Sequence, residues 1–274
     1  MITKSAASPR NTKDSSLSVL DKIPVFGIEK GISVLIAILF AFGFAFHVSG
    51  FEDYMIAMTE GFILLCNFLV TGMILLTTTK FYNLKQTDPK ILILPIALIG
   101  IVVITLGLEV LGVETGLVFG EYQYGSTFNA QIFSVPWVIG WNWALVIIGS
   151  LLFVRDIYMP LFTKYGFPLL DKAGLITDKW QPWISLFVRF DIAILAGIAA
   201  AIFDFVLEPI AIRYDYWSWS GGDVPLQNYA AWFAITFVIS LILLRFNVPI
   251  RSRLAKDYFF YQFIFFLALL VYSN

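Results

Sequence analysis

Seven long apolar runs limit what this chain can fold into. They cover roughly 31–49, 55–78, 91–112, 132–154, 185–207, 226–245 and 258–273. About 20 apolar residues carry a helix across a bilayer. The runs are too long for strands and do not alternate, so a closed barrel is excluded. The expected fold is all-α: a polytopic membrane helix bundle of seven transmembrane helices in one domain over 31–274, preceded by a polar segment over 1–30. Charged residues make up 14% of the chain, well under the roughly 25% of soluble domains. The fifth run is the weakest, because its uncharged stretch reaches only from Ile192 to Phe203, between Asp191 and Asp204.

Basic residues supply an independent check on the count. Cytoplasmic loops of membrane proteins are enriched in Lys and Arg. Seventeen of the 18 fall in the N-terminal segment and in the connections after runs two, four and six or at their edges. Arg213 alone falls on the other side. The N-terminus and those connections are therefore expected in the cytoplasm, and the C-terminus outside. No short apolar stretch with a cleavage site opens the chain, so the first run reads as a signal anchor. The net charge of −1 gives no reason to expect a nucleic-acid partner. The single cysteine, Cys66, rules out an internal disulfide, and the single histidine, His47, rules out a histidine-rich metal site.

The unusual chemistry gathers on the other, outer side. Four carboxylates sit at or near outer span ends: Glu109, Glu114, Asp204 and Glu208. A carboxylate within a span costs on the order of 2–3 kcal/mol, so such residues face a cavity or a partner. Asp204 and Glu208 are four apart and share a helical face. Glu109 and Glu114 lie about 140° apart around a helix. Pro209 is expected to end the fifth helix. Arg213 is placed to neutralise Glu208. Glu60 and Asp191 are further intramembrane candidates. Asn142, Gln227 and Asn228 are polar groups at span ends that can hold a water. Aromatic residues crowd the same two loops: Tyr122, Tyr124, Trp137, Trp141 and Trp143 near the first, Tyr214, Tyr216, Trp217, Trp219 and Trp232 near the second. Rings gather at membrane interfaces in any case, but ring faces also stabilise a desolvated cation.

The two outer loops look like a parallel repeat. Glu114 precedes Tyr122 by eight residues, as Glu208 precedes Tyr216; each loop then reaches Val-Pro (Val135-Pro136, Val224-Pro225) and a Trp in the next span (Trp141, Trp232). The acids are 208 − 114 = 94 residues apart.

Several classes are excluded. There is no G-x-G-x-x-G for a dinucleotide, no lysine in the seventh run for a retinal Schiff base, no D-D-x-x-D, and no nucleophile motif for acyl transfer.

"DFVLEPIAIRYDYWSW" from Asp204, with "VPLQNYAAWF" from Val224, resembles the signature of the integral-membrane carotenoid hydratases, the bisanhydrobacterioruberin hydratase and carotenoid 1,2-hydratase family. "ETGLVFGEYQY" from Glu114, followed by "VPW", is similar to that family's other shared block. The blocks span Leu106 to Phe233. The resemblance implies addition of water to the terminal C=C of an acyclic (ψ) carotenoid end, giving a tertiary alcohol with no cofactor and no metal. It implies a carotenoid substrate inside a lipid bilayer, in a bacterial cytoplasmic membrane. The lack of an acidic excess speaks against a haloarchaeal source, and so for a C40 substrate such as lycopene or γ-carotene over a C50 one. On this reading Asp204 is the proton donor, with Glu109 its rival, and Glu208 or Glu114 orients the water. Tyr122, Tyr124, Trp137, Trp141, Arg213, Tyr216, Trp217, Trp219, Asn228 and Trp232 line the substrate site. A membrane carotenoid cyclase starts from the same protonation, and a seven-helix transporter or lipid-binding protein is the non-enzymatic alternative.

Overall fold

The computed structural model describes residues 23–85, 88 and 90–273. Residues 1–22, with Lys4, Arg10, Lys13 and Lys22, lie outside the described residues, as does the Lys90 side chain. Seven helices are long and apolar enough to cross a membrane: α1 (Val25–Val48), α2 (Glu52–Phe81), α3 (Lys90–Thr115), α4 (Trp137–Lys172, with a π-helical turn at Phe162–Gly166), α5 (Gln181–Arg213), α6 (Leu226–Arg245) and α7 (Arg253–Ser273). They account one for one for the seven apolar runs, and the protein is an integral-membrane helix bundle.

Burial shows how the bundle is arranged. The most apolar stretch of α4 is 78% buried, against 22% for α1 and for α3. α4 is therefore the central helix, with α2, α3, α5 and α7 packed on it. At the α3–α4 crossing a side chain on Gly140 would meet Leu106 Cβ at 2.9 Å, so glycine sets the approach. Thr105 Oγ1 donates to the Gly140 carbonyl there at 2.8 Å.

Helix ends differ from the apolar runs where a polar group finds a partner. α1 starts at Val25, inside the expected polar segment, and takes Glu29 into its first turns. Glu29 is buried because it caps another helix. Its Oε1 accepts from Ser252 Oγ (2.7 Å) and from the backbone N–H groups of Arg253 (2.7 Å) and Leu254 (3.0 Å), the start of α7. A carboxylate there satisfies donors that a helix N-terminus leaves open. Pro209 does not end α5, contrary to expectation; the helix continues to Arg213. Proline removes only one N–H, and the next turn is held by Tyr214 N–H to Ile210 O (3.0 Å) and Tyr216 N–H to Ala211 O (2.9 Å). Spanning helices tolerate proline where neighbours hold the freed groups.

The loops after α3 and α5 contain short strands, which the apolar runs do not announce. β1 (Tyr122–Tyr124) pairs antiparallel with β4 (Trp217–Trp219), Tyr122 opposite Trp219 and Tyr124 opposite Trp217. β2 (Gln131–Ile132) and β3 (Val135–Pro136) form a hairpin within the first loop. The two loops are further joined by Gly125 N–H to Tyr216 O (2.9 Å), Ser220 N–H to Glu121 O (3.0 Å) and Thr127 Oγ1 to Tyr214 O (2.8 Å). Asp215 accepts from the Ser126 backbone N–H (2.8 Å) and hydroxyl (2.7 Å), and these bonds hold its carboxyl below the usual range. Glu60, at the top of α2, accepts from the backbone N–H groups of Asn129 (2.9 Å) and Ala130 (3.1 Å) and so anchors the same lid.

Gly125 tests how tightly this lid is closed. A Cβ there would lie 2.1 Å from the Asp215 carbonyl oxygen. Gly125→Ala is expected to cost about 1–3 kcal/mol by overpacking, read as a lower unfolding temperature in detergent with unchanged helical circular dichroism. Wild-type stability would show that the loops are not locked.

Candidate functional site

Three carboxyl side chains meet beneath the β1–β4 ribbon. Asp204 and Glu208 come from the buried face of α5, where their four-residue spacing stacks them, and Glu109 comes from α3. Their exposures are 0%, 1% and 5%, so none is solvated. A buried carboxylate needs donors, and each strand supplies two. Side chains at i and i+2 of a strand share a face. Tyr122 and Tyr124 donate to Glu109 Oε2 at 2.5 and 2.8 Å. Trp217 and Trp219 donate through Nε1 to Glu208 Oε2 at 3.0 and 2.9 Å. Burial, reinforced by the Glu109 charge, pushes both phenols well above their ordinary range, so they remain neutral donors.

Asn228, from the first turn of α6, bridges the α5 pair. Its Nδ2 donates to Asp204 Oδ2 at 2.6 Å and to Glu208 Oε1 at 3.0 Å. Asp204 Oδ1 is buried and has no hydrogen-bond partner among the described residues. Asp204 lines a cavity of about 50 Å³, lined also by Glu109, Glu208, Asn142, Phe119, Phe203 and Leu207 and by Tyr122, Trp143, Trp217, Trp219 and Trp232. Trp143 and Trp232 stack with centroids 3.5 Å apart. The space takes a few waters or one end of an apolar chain, not a whole lipid-sized molecule.

The expected site residues divide. Glu109, Tyr122, Tyr124, Asp204, Glu208, Trp217, Trp219, Asn228 and Trp232 line the cavity, and so does Asn142. Glu114 does not; it is exposed near the end of α3, turned away from the carboxyl cluster. Arg213 does not neutralise Glu208. It is exposed, 3.5 Å from Glu52, because Glu208 already has its donors. Trp141 faces α2 and α3 instead, donating to Thr71 Oγ1 at 2.9 Å and stacking on Trp137. Tyr216 is buried, pushed by that burial to about 12, and contacts Thr59 and Phe128 outside the carboxyl cavity. Gln227 ties the loops by donating to Leu117 O at 2.6 Å. Asp191 accepts from Tyr158 at 2.6 Å, far along α5 from the cluster. Trp143, seen in the sequence only as one of a crowd, is a wall of the cavity. Its signal is spacing: it lies seven residues after Pro136, as Trp232 lies seven after Pro225. In the structure Trp232 stacks on Trp143, not on the expected repeat partner Trp141, and the acid held by the first strand as Glu208 is by the second is Glu109, not Glu114.

Fold and site define a class: a seven-helix membrane protein with an aromatic-walled cavity lined by three carboxyl groups. The family model of carotenoid biosynthesis proteins matches residues 65–273, and the chain belongs to that family. No curated protein and no solved structure matches it significantly. The matched region contains every residue of the cavity and leaves out α1 and the first turns of α2. A role in carotenoid biosynthesis follows.

Removing the indole donors tests the Glu208 cage. Trp217→Phe with Trp219→Phe leaves Glu208 bound only by Asn228, and an unsatisfied buried group costs about 1–3 kcal/mol. Thermal unfolding in detergent is expected to fall accordingly, while Ser218→Ala, on the outward face of the same strand, melts as wild type. Equal melting of all three would show that the indoles do not support the carboxyl.

Proposed function

We propose that the protein is a carotenoid hydratase that adds water to the terminal C=C of an acyclic carotenoid end without a cofactor. The observation that carries this reading is Asp204: a buried carboxyl group whose Oδ1 has no hydrogen-bond partner among the described residues, on a residue that lines a ring-walled space of about 50 Å³. So small a space admits only a chain end, which suits chemistry at a terminal double bond. The resemblance of the Asp204–Trp219 block to the carotenoid hydratases supports the same reaction.

Asp204, in its acid form, gives its proton to the less substituted carbon of the terminal alkene. The π bond becomes the new C–H bond and leaves a tertiary cation at the dimethyl carbon. The faces of Trp143, Trp232, Trp217 and Trp219 surround that carbon, and a desolvated ring face stabilises a cation by about 2 kcal/mol. A water held by Glu208 or Glu109 attacks the cation and forms the C–O bond. The oxonium then loses a proton to the carboxyl group that held the water. A second water in the cavity then passes that proton from the carboxyl group back to Asp204, which Asn228 holds in place by donating to Oδ2, and the protein ends as it began. The net change is alkene plus water to tertiary alcohol. A C40 substrate with one ψ end, lycopene or γ-carotene, fits best with the ordinary charge balance of the chain.

Expression in lycopene-accumulating cells tests the reaction. Wild type is expected to yield a pigment one water heavier, and Asp204→Asn to abolish it while inserting in the membrane normally. An isomer of unchanged mass would mean a cyclase, and full product from Asp204→Asn would sink the assignment of the acid.

We further propose that the carboxyl site lies toward the outer face of a bacterial cytoplasmic membrane, with the N-terminus inside. The distribution of Lys and Arg supports this. Cys66 is 0% exposed and will not react, whereas Leu226 and Phe246, at opposite ends of α6, are 81% and 72% exposed. A membrane-impermeant maleimide should label Leu226→Cys in intact cells and Phe246→Cys only after permeabilisation. The opposite pattern would invert the topology.

A further inference from the structure

The carboxyl cavity is too small for the rest of a carotenoid, and one neighbouring space is large enough for much more of it. A groove of about 290 Å³ runs between α1, α2 and α7, walled by Phe40, Gly43, Met58, Phe62, Phe265 and Phe266. Its walls are aromatic and aliphatic for most of its length. Phe40 packs edge-on to Phe62 (5.1 Å) and to Phe265 (5.4 Å), which fixes a rigid floor. Its rim is apolar and uncovered: Phe42 and Met58 are 59% and 63% exposed. In a spanning bundle that rim faces lipid tails, so the groove opens sideways into the bilayer.

The groove abuts the carboxyl cavity across one layer of side chains. Asn142 lines the cavity and donates to Gln262 Oε1 in the groove at 3.1 Å. Phe203 of the cavity lies 6.2 Å from Phe266 of the groove, and Trp217 lies 6.1 Å from Tyr216. At this junction Gln262 Nε2 is buried without a partner, although the residue is only 4% exposed. An N–H without a partner among the described residues, at the border of a groove lined mainly by apolar and aromatic residues, suits an oxygen brought to the boundary by the reacting end.

We propose that this groove is the binding site for the polyene chain of the carotenoid, which enters laterally between α1 and α2 and passes its end across the Asn142–Gln262 layer to Asp204. The proposal rests on the end-group hydration reading. The occupant follows from three features together. The family acts in carotenoid biosynthesis, the opening faces the phase where a carotenoid dissolves, and the inner end lies one layer of side chains from the cavity that Asp204 lines. A long conjugated chain also gains dispersion contacts along the aromatic floor.

Gly43 offers a direct test. A Cβ there meets only Phe265 Cε2, at 3.6 Å, an ordinary contact. Gly43→Phe therefore fills the groove with little strain on α1, and Met58→Trp narrows it independently from α2. Wild type, Asp204→Asn and the two groove variants are purified from lycopene-accumulating cells, and visible absorbance gives pigment per protein. Asp204→Asn is expected to hold wild-type amounts, and each groove variant about tenfold less, with correspondingly less heavier pigment formed in the cells. Wild-type pigment and wild-type product in both groove variants would overturn the groove while leaving hydration standing. Pigment held by wild type and Asp204→Asn and lost from the groove variants, with no heavier product from wild type, would uphold the groove and refute hydration.

Discussion

Placing carboxyl groups inside an apolar bundle is the constraint on which this structure depends. Each must be given donors from within the protein, because lipid supplies none. The β1–β4 ribbon meets that need. Its antiparallel register, Tyr122 opposite Trp219 and Tyr124 opposite Trp217, is what a local two-fold axis through Gln123 and Ser218 produces from two equivalent strands. Each strand then presents its i and i+2 side chains to the acid of its own half: two phenols to Glu109, two indoles to Glu208. The stacked Trp143 and Trp232 lie on the same local symmetry, at equal distances after Pro136 and Pro225. The glycine contact at Gly125 and the Asp215–Ser126 bonds serve to keep the ribbon in place.

The departure from symmetry matters as much as the symmetry. The α3 half brings one acid and two donors to one oxygen. The α5 half brings two acids a turn apart and adds one amide, Asn228, between them. Two carboxyl groups offer four oxygens, and the amide and indoles engage three. The remaining oxygen, Asp204 Oδ1, is buried and has no hydrogen-bond partner among the described residues. The two halves thus differ chemically: both phenols converge on Glu109 Oε2, whereas the α5 pair shares one amide and leaves Asp204 Oδ1 without a donor among the described residues.

The apolar runs alone made the seven helices legible, because span length and the Lys/Arg pattern both report on the membrane. Asp204, Glu208, Glu109 and the Tyr-x-Tyr and Trp-x-Trp pairs were also legible, since acids and alternating rings at span ends are conspicuous. What failed was pairing over distance. Glu114 matched Glu208 by spacing to a tyrosine, yet only the ribbon register shows that Glu109 holds that place. Arg213 stood near Glu208 in sequence, but indole N–H groups had already met that demand, leaving the guanidinium for Glu52. Pro209 read as a stop because local rules ignore the loop bonds that carry α5 onward. Glu29 read as part of a polar tail because its donors lie more than 200 residues away.

The separation of a small acid cavity from a long apolar groove bears on how such a reaction stays productive. A tertiary cation returns to alkene if it gives a proton back before water reaches it, and it alkylates whatever nucleophile is nearest. In the proposed reaction both outcomes are limited by enclosure. The ribbon covers the three carboxyl groups, the cavity walls include several rings, and Glu109 and Glu208, the groups proposed to hold the water, each have an oxygen engaged by Tyr or Trp donors. A carboxylate oxygen that accepts two strong hydrogen bonds has its lone-pair charge committed to those donors. It can orient a water, yet it is a poor competitor for the carbon. The cages around Glu109 and Glu208 thus do two things at once. They make buried acids tolerable to the fold, and in the proposed reaction they restrain those acids as nucleophiles beside the cation.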